Sequence, residues 1–185
     1  MAEQPTVDTG RARTEWVVLA LLAEGPTHGF AIARQLSADA DLGRILTVRR
    51  PLVYRALDRL VADGAARPGR QEPGDAGPTR TIHRATAAGH RAVERWLRTP
   101  VVHVRDLRVD FLVKLRLLER RGDDPGPLVA AQRIALSETL DHLIERPVGG
   151  GGDVVDRWRA HNASAVVGFL DGFDRAAGWP ERPGR

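Results

Sequence analysis

The feature that most constrains the fold is a short helical pattern between residues 50 and 63. Its apolar side chains recur three or four positions apart, which is the spacing of one buried face of an α-helix. At about 100° of rotation per residue, Arg55 and Arg59 project from the opposite side. The pattern predicts a helix with one buried face and one cationic face, and its buried positions are Val53, Ala56, Leu57, Leu60 and Val61.

Two further helices are predicted before this segment. Residues 16–23 are all apolar, and Gly25-Pro26 ends the helix that they form. A second helix carries Phe30 and Leu36 among its apolar positions.

A hairpin and a fourth helix are predicted after it. Candidate strands cover residues 65–67 and 80–85, and the Gly- and Pro-rich insert between them indicates a long, mobile tip. Thr86 can cap the helix that follows. The order helix, helix, helix, hairpin, helix is that of a winged helix-turn-helix. We assign this fold to residues 14–99 and expect a disordered tail over residues 1–13.

The second half of the chain is predicted to be all-helical. Apolar residues at helical spacing occur in residues 107–118, 128–146 and 155–173. These helices have no self-contained globular outline, which indicates a surface for assembly. We predict a helical C-terminal dimerisation and effector domain over residues 100–177, with a flexible tail over residues 178–185. The fold class is mainly α with a small β-hairpin.

Composition excludes several classes of protein. The chain has no cysteine, which excludes disulfides, cysteine nucleophiles and zinc fingers. No stretch approaches the roughly 20 apolar residues that span a bilayer. The first residues have no apolar core of the kind that signal peptides have. We therefore expect a cytoplasmic protein without membrane contact.

Positive charge is concentrated in the predicted winged helix. Residues 44–95 contain eleven arginines and five acidic residues, a net charge of +6, although the whole chain carries only +4. Charge gathered in one segment is typical of a protein that binds a polyanion. Arginine also matches phosphate and guanine with two parallel hydrogen bonds.

A helix of this kind reads DNA from its exposed face and its first turn, and a wing contacts the backbone or the minor groove. We predict double-stranded DNA as the partner. The candidate DNA-binding residues are Arg49, Arg50, Tyr54, Arg55 and Arg59 on the helix, and Arg70 and Arg80 on the wing.

Three motifs resemble the PadR-like family of transcriptional regulators. Residues 25–32, GPTHGFAI, are similar to the family's Gly-x-x-His/Ser-Gly-Tyr-x-Ile pattern. Residues 53–64, VYRALDRLVADG, resemble its recognition helix, and residues 83–89, HRATAAG, its Tyr-x-Leu-Thr-x-x-Gly pattern. Phe30 stands where the family usually has tyrosine, and Arg55 where it has proline. The resemblance extends over about residues 14–176, including FLVKL at residues 111–115.

The resemblance implies a homodimeric repressor that binds a pseudo-palindromic operator, with half-sites about one helical turn apart. It also implies release by a small, often aromatic, ligand and no cofactor. On this basis the effector-binding candidates are Trp16, Phe30, Trp96 and Trp158. The candidate dimer-interface residues are Leu107, Phe111, Trp158, Val166, Phe169 and Phe173.

The residues fit other functions less well. The chain has none of the common nucleotide-binding, esterase or zinc-protease motifs, so we expect no enzyme. His103, Asp106 and Asp110 have a spacing that could hold a metal, but scattered solvated side chains explain them better, and we expect no metal. A MarR-type regulator remains an alternative, as does an adaptor that uses the winged helix to bind protein.

Overall fold

The computed structural model describes residues 10–74, 77–145 and 152–175. Contacts divide the chain into two compact units. The first contains the residues up to Thr99 together with Leu112–Leu117, and the second contains Pro100–Phe111 and the residues from Leu118 onward. This grouping adds part of a later helix to the winged-helix segment that the sequence delimited at residue 99.

The first unit is built around one apolar helix. Its helices are α1 (Arg13–Glu24), α2 (Gly29–Gln35), α3 (Arg50–Ala62) and α4 (Ala87–Arg98), with a short 3-10 turn at Leu42–Arg44. Eight consecutive residues of α1, from Glu15 to Leu22, are buried. Helix α1 contacts α3, α4 and strand β3, so its sides are covered by different elements. A helix that is apolar all round needs such cover because every side must leave water.

A three-stranded antiparallel sheet forms the wing and its base. Strands β1 (Thr27–His28), β2 (Ala66–Gly74) and β3 (Gly77–Ala85) lie in the order β1-β3-β2. The predicted fold class is confirmed: three helices, a hairpin and a fourth helix make a winged helix-turn-helix, and the remainder is helical.

The hairpin is longer than the sequence suggested. The prediction of short strands at residues 65–67 and 80–85 was wrong in their extent, because β2 and β3 stay paired as far as Gly74 and Gly77. Residues 75 and 76, at the predicted tip, lie outside the described residues. Pro68 and Pro73 lie in β2, and each lacks an N–H donor. They are tolerated because β2 is an edge strand that pairs only with β3, and the register shifts near both prolines.

The second unit consists of helices. Helix α5 (Val104–Asp106) runs through a π-helical turn at Leu107–Phe111 into α6 (Leu112–Arg121), of which only the residues from Leu118 onward belong to this unit. Helix α7 (Gly126–Glu145) packs against α8 (Val154–Arg175). The buried amide of Gln132 on α7 accepts from the N–H of Val101 and donates to its carbonyl, both at 2.8 Å. These two hydrogen bonds satisfy the buried backbone N–H and carbonyl of Val101, which belongs to no helix or strand.

The predicted tails fall mostly outside the described residues. The prediction of disorder up to residue 13 was wrong at its end, since α1 begins at Arg13. Arg11 also has fixed neighbours: its guanidinium lies 5.2 Å from the centre of the Trp16 ring and 3.6 Å from the Asp63 carboxylate.

The start of α4 lies against the end of the loop after α3. The Thr86 hydroxyl oxygen accepts from the N–H of Gly89 at 3.1 Å and donates to the Gly64 carbonyl at 2.8 Å. A Cβ at Gly89 would lie 2.1 Å from the carbonyl oxygen of Ala65. Only glycine fits this approach without a backbone shift, which explains the glycine of the third motif.

We expect Gly89→Ala to lower the free energy of unfolding by about 1–3 kcal/mol, because the methyl group must displace backbone. The measurement is a urea titration followed by circular dichroism. Gly25→Ala is the matched control, since the backbone of Gly25 is extended and an added methyl group would meet no other atom within 4 Å. Equal midpoints for the two variants would show that the close approach to the Ala65 carbonyl does not destabilise Gly89→Ala.

Candidate nucleic-acid interface

Helix α3 presents a cationic surface because its apolar stripe is taken up by the core. Val53, Ala56, Leu57 and Leu60 are buried, and α3 contacts both α1 and α2. The five helix residues predicted to bind DNA are all exposed: Arg49, Arg50, Tyr54, Arg55 and Arg59. Pro51 lies in the first turn of the helix, where its missing N–H would have no partner within the helix.

The motif at the start of α2 places an aromatic ring beside this surface. The His28 ring accepts from the N–H of Ala31 at 3.1 Å and so caps α2. At Gly29 a Cβ would lie only 2.9 Å from Cε1 of Tyr54, so glycine lets α2 approach α3 closely. Phe30 follows, with 38% of its surface exposed. The sequence motif thus encodes a cap, a close approach and an exposed ring.

A groove of about 460 Å³ lies between α3, the start of α2 and the wing. We call it the wing groove. Its lining includes Phe30, Arg50, Tyr54, Asp58, Arg80 and His83. It brings together three predicted DNA-binding residues and one predicted effector residue, Phe30. Asp58 and His83 were missed by the sequence analysis, although Asp58 follows Arg50 and Tyr54 at helical spacing on the same face.

Arg59 has a second role that its exposure conceals. Its guanidinium lies 3.3 Å from a carboxylate oxygen of Glu15, whose side chain is only 8% exposed. The other oxygen of Glu15 accepts from the N–H of Ala12 at the start of α1. Removal of Arg59 would leave a buried carboxylate without this counter-charge. Loss of DNA binding in an Arg59 variant would therefore not by itself identify a DNA contact.

The wing carries more arginine than the two residues predicted. Arg70 pairs with Glu72 at 2.6 Å, and Arg80 lies near the Phe30 ring. Arg67 and Arg84 are exposed and directly opposite each other on β2 and β3. Like charges in such a pair repel, and a nearby anion would relieve the repulsion. The pair could not be found from sequence because it depends on the strand register.

Two of the predicted effector residues stack on each other. The rings of Trp16 and Trp96 are parallel within 1° with centroids 5.4 Å apart. The ammonium of Lys114 lies 5.2 Å from the Trp96 ring and donates to the Thr99 carbonyl at 2.6 Å. Trp16 is only 6% exposed, so this pair serves as packing in the first unit. Trp158, by contrast, is 70% exposed on α8.

The predicted dimer-interface residues divide into two groups. Leu107 and Phe111 are buried within a single chain, so they need no partner to leave water. The other four fall on one side of α8 at helical spacing, and we call them the α8 stripe: Trp158, Val166, Phe169 and Phe173. Phe169 is 46% exposed and packs edge-on against Phe173 at 5.2 Å. Ala163 and Leu170, on another side of α8, are buried.

Two other expectations concern absences. Among the described residues, no three acidic or histidine side chains gather closely enough to hold a metal ion, and His103, Asp106 and Asp110 form no such group. In the same part of the chain, no helix combines the length and the apolar character needed to cross a bilayer.

Comparison with known proteins agrees with the geometry of the first unit. Residues 18–95 match the family model of the Transcriptional regulator PadR-like family. Over these residues the chain is a member of the PadR-like family. The matched segment contains α3 and both strands of the wing, so the resemblance seen in the three motifs is confirmed where the cationic surface lies. The PadR-like family is one of DNA-binding regulators, not of enzymes.

Solved structures of low sequence identity are also similar to the chain. Bacillus subtilis PadR in complex with operator DNA is 15% identical, with a TM-score of 0.46, over 87% of this chain and 97% of that one. The same protein in complex with p-coumaric acid is 16% identical, with a TM-score of 0.40, over 93% and 96%. The protein smu.1604c from Streptococcus mutans UA159 is 16% identical, with a TM-score of 0.41, over 87% and 98%. No curated protein matches the sequence.

His83, which lines the wing groove, makes the stability of the folded protein depend on pH. Burial lowers the pKa of its imidazole, and this effect outweighs the Thr81 carbonyl at 3.1 Å and the negative charge of Asp58, which both raise it. The folded protein therefore binds fewer protons at this site than the unfolded chain. The stability that depends on neutral His83 is present above pH 6.5 and is lost as the pH falls below it.

We expect the wild type to lose more stability than His83→Gln when the pH is lowered from 7.5 to 5.5, because the variant has no imidazole to protonate. Urea midpoints at the two pH values measure the difference. His90→Gln, at an exposed histidine of α4, is the control. The same pH dependence in wild type and His83→Gln would contradict the assignment.

Proposed function

We propose that this chain is a homodimeric repressor that binds a pseudo-palindromic operator through α3 and the wing. The observation that carries the proposal is the exposed arginine face of α3, which lies beside a wing that bears further arginines. Arg49 and Arg55 are the strongest candidates for direct contact. Arg49 is exposed at the N-cap of α3, and Arg55 is exposed on the face opposite the buried stripe. A protein that acts on operator DNA would work in the cytoplasm, and we assign it no catalytic role.

Charge supports DNA as the partner over an acidic protein. The arginines come from the start of α3, its middle and both wing strands, so they extend along a surface instead of forming a single point charge. Duplex DNA presents phosphates at regular intervals, and arginine binds them with two parallel hydrogen bonds. The positive end of the α3 helix dipole, at Arg49 and Arg50, adds to the attraction for phosphate.

Dimerisation rests on the α8 stripe together with the family resemblance. Trp158 and Phe169 expose large apolar surfaces, and burial of such rings stabilises association by about 25 cal/mol per Å² removed from water. A two-fold axis would set the stripe against its own copy, which is the geometry of a closed dimer. Such a dimer presents two recognition helices to a two-fold symmetric DNA site.

We further propose that a small aromatic ligand releases the protein from DNA. This proposal rests on the resemblance to PadR-like regulators, together with Trp158, a candidate ring that is 70% exposed. The stacked Trp16 and Trp96 are the weaker candidates, because Trp16 is already buried.

Binding to the chain's own upstream DNA tests the main claim. We expect specific binding that weakens steeply with salt, because each neutralised phosphate contributes about 0.9 to the slope of log affinity against log salt. Arg55→Ala should reduce the affinity about tenfold, as expected for a lost arginine contact. Fluorescence anisotropy with an unrelated duplex as reference measures both quantities, and Arg157→Ala on α8 is the matched control.

No binding of the wild type to either duplex at low salt would overturn the proposal and favour the protein adaptor. Equal binding to the two duplexes would leave a nonspecific basic surface and remove the operator from the proposal.

We expect Trp158→Glu to shift the protein from dimer to monomer, because a carboxylate on the α8 stripe would be buried without a partner. Sedimentation velocity over a range of concentrations measures the change. Ser164→Glu places the same group on another exposed side of α8 and should leave the dimer intact. A wild type that sediments as a monomer would remove the homodimer, and equal behaviour of the two variants would move the interface elsewhere.

A further inference from the structure

The wing groove holds two arginines against one aromatic ring. The guanidinium of Arg50, on α3, lies 5.2 Å from the centre of the Phe30 ring. The guanidinium of Arg80, on β3, lies 5.8 Å from the same centre. These distances are within the range of cation–π attraction, which is stronger for arginine near a partly desolvated ring than for a fully hydrated pair. Phe30 therefore connects the recognition helix with the wing.

A second ring restricts Arg50 further. Its guanidinium lies 5.6 Å from the centre of the Tyr54 ring, and Nη2 donates to the Tyr54 hydroxyl at 3.5 Å. Tyr54 is in turn fixed by the close approach of Gly29. A long side chain that is already ordered loses less conformational entropy when it binds a ligand. Arg50 is thus prepared for an acceptor that arrives from outside the protein.

The charges of the groove favour an anion. Arg50 and Arg80 contribute two positive charges, and Asp58 contributes one negative charge. A cation–π contact engages the face of the ring and leaves a guanidinium able to donate hydrogen bonds at its edge. Two guanidiniums that reach the same space from different elements suit an oxyanion with several acceptor oxygens, for which charge-assisted hydrogen bonds are strong.

We propose that the wing groove binds one backbone phosphate of duplex DNA, held jointly by Arg50 and Arg80, with Phe30 as the residue that positions both. This inference rests on the proposed function and adds to it a shared phosphate and a positioning residue. The groove adjoins the exposed Arg49 and Arg55 on α3, where the duplex would lie.

A duplex fits this groove better than a small aromatic ligand. Phe30 is 38% exposed and Tyr54 is 40% exposed, so the rings form an open wall instead of an enclosed cavity. Small-ligand sites usually bury most of the ligand surface. A phosphate needs only one side covered because the rest of the duplex remains in solvent.

The phenyl ring at position 30 acts through its face alone, since it has no hydroxyl that could accept a hydrogen bond from either arginine. Phe30→Leu removes the ring but none of the charges, whereas Phe30→Tyr keeps an aromatic ring at the same position. The pair of variants separates positioning by the ring from charge neutralisation by the arginines.

The test is a set of affinities for a 30-base-pair duplex from the chain's own upstream region, measured by fluorescence anisotropy at several salt concentrations. We expect Phe30→Leu to weaken binding about fivefold and Phe30→Tyr to retain it, as expected for loss and recovery of cation–π attraction. Thermal midpoints by circular dichroism should stay close to that of the wild type, because Phe30 is a surface residue. A variant that binds weakly with an unchanged midpoint reports positioning and not misfolding.

A double-mutant cycle tests whether the arginines share one phosphate. Arg50→Ala and Arg80→Ala should each weaken binding about tenfold. The double variant should weaken it by clearly less than the product of the two, because the second change removes a contact to a phosphate that is already weakly held. Phe30→Leu should have a smaller effect in the Arg50→Ala protein than in the wild type.

Several outcomes would overturn the inference. Independent effects of the two arginine variants would mean separate phosphates, and a normal affinity of Phe30→Leu would remove the positioning role. A third overturning outcome is normal DNA binding by all the groove variants, together with loss of 4-hydroxycinnamate binding in calorimetry. That outcome would assign the groove to a small ligand.

Arg55→Ala separates this inference from the proposed function, because Arg55 lies on the DNA-binding face but does not line the groove. If Arg55→Ala weakens binding and the groove variants do not, only the inference fails. If the wild type binds no duplex, the proposed function fails and the inference fails with it.

Discussion

Burial of α1 is the interaction on which the first unit depends. The residues from Trp16 to Leu22 are apolar and buried on all sides, and each large side chain removed from water contributes about 1.5–3 kcal/mol. Helices α3 and α4 pack on this core, and strand β3 contacts it from another side. Because the apolar face of α3 packs on this core, the opposite, cationic face points to solvent. The same packing holds the wing beside α3, which creates the groove.

Polar groups at the margin of this core fix the register of its parts. Glu15 is buried, and it binds the Ala12 N–H and the Arg59 guanidinium. Lys114 is buried against Trp96 and the Thr99 carbonyl, while Arg116 pairs with Asp41 at 2.7 Å. An unpaired buried charge is expensive, so the contacts of Lys114 hold this part of α6 in one position within the first unit. An arginine on the exposed face of α3 can thus also be a structural counter-ion, as at Arg59.

The sequence was most informative where local chemistry and periodicity agreed. The buried stripe of α3, the Thr86 cap and the exposed arginines were all predicted from spacing and residue type. The long hairpin was not, because prolines normally argue against a strand. Pro68 and Pro73 are acceptable only because β2 lies at the sheet edge, and that position is a property of the assembled sheet. The contacts of Arg11 with Trp16 and Asp63 were missed for a similar reason, since a contact with Asp63 joins residues far apart in the sequence.

The sequence by itself determined the order of elements, the winged-helix class and the cationic side of α3, because these follow from side-chain spacing along a helix or strand. The tertiary structure alone decided which distant residues meet. Phe30, Arg50 and Arg80 come from α2, α3 and β3, and no periodicity predicts that two guanidiniums share one ring. The tertiary structure also decided that Trp16 and Trp96 stack, whereas Trp158 remains exposed. Contacts between elements depend on packing and strand register, which are global properties of the fold.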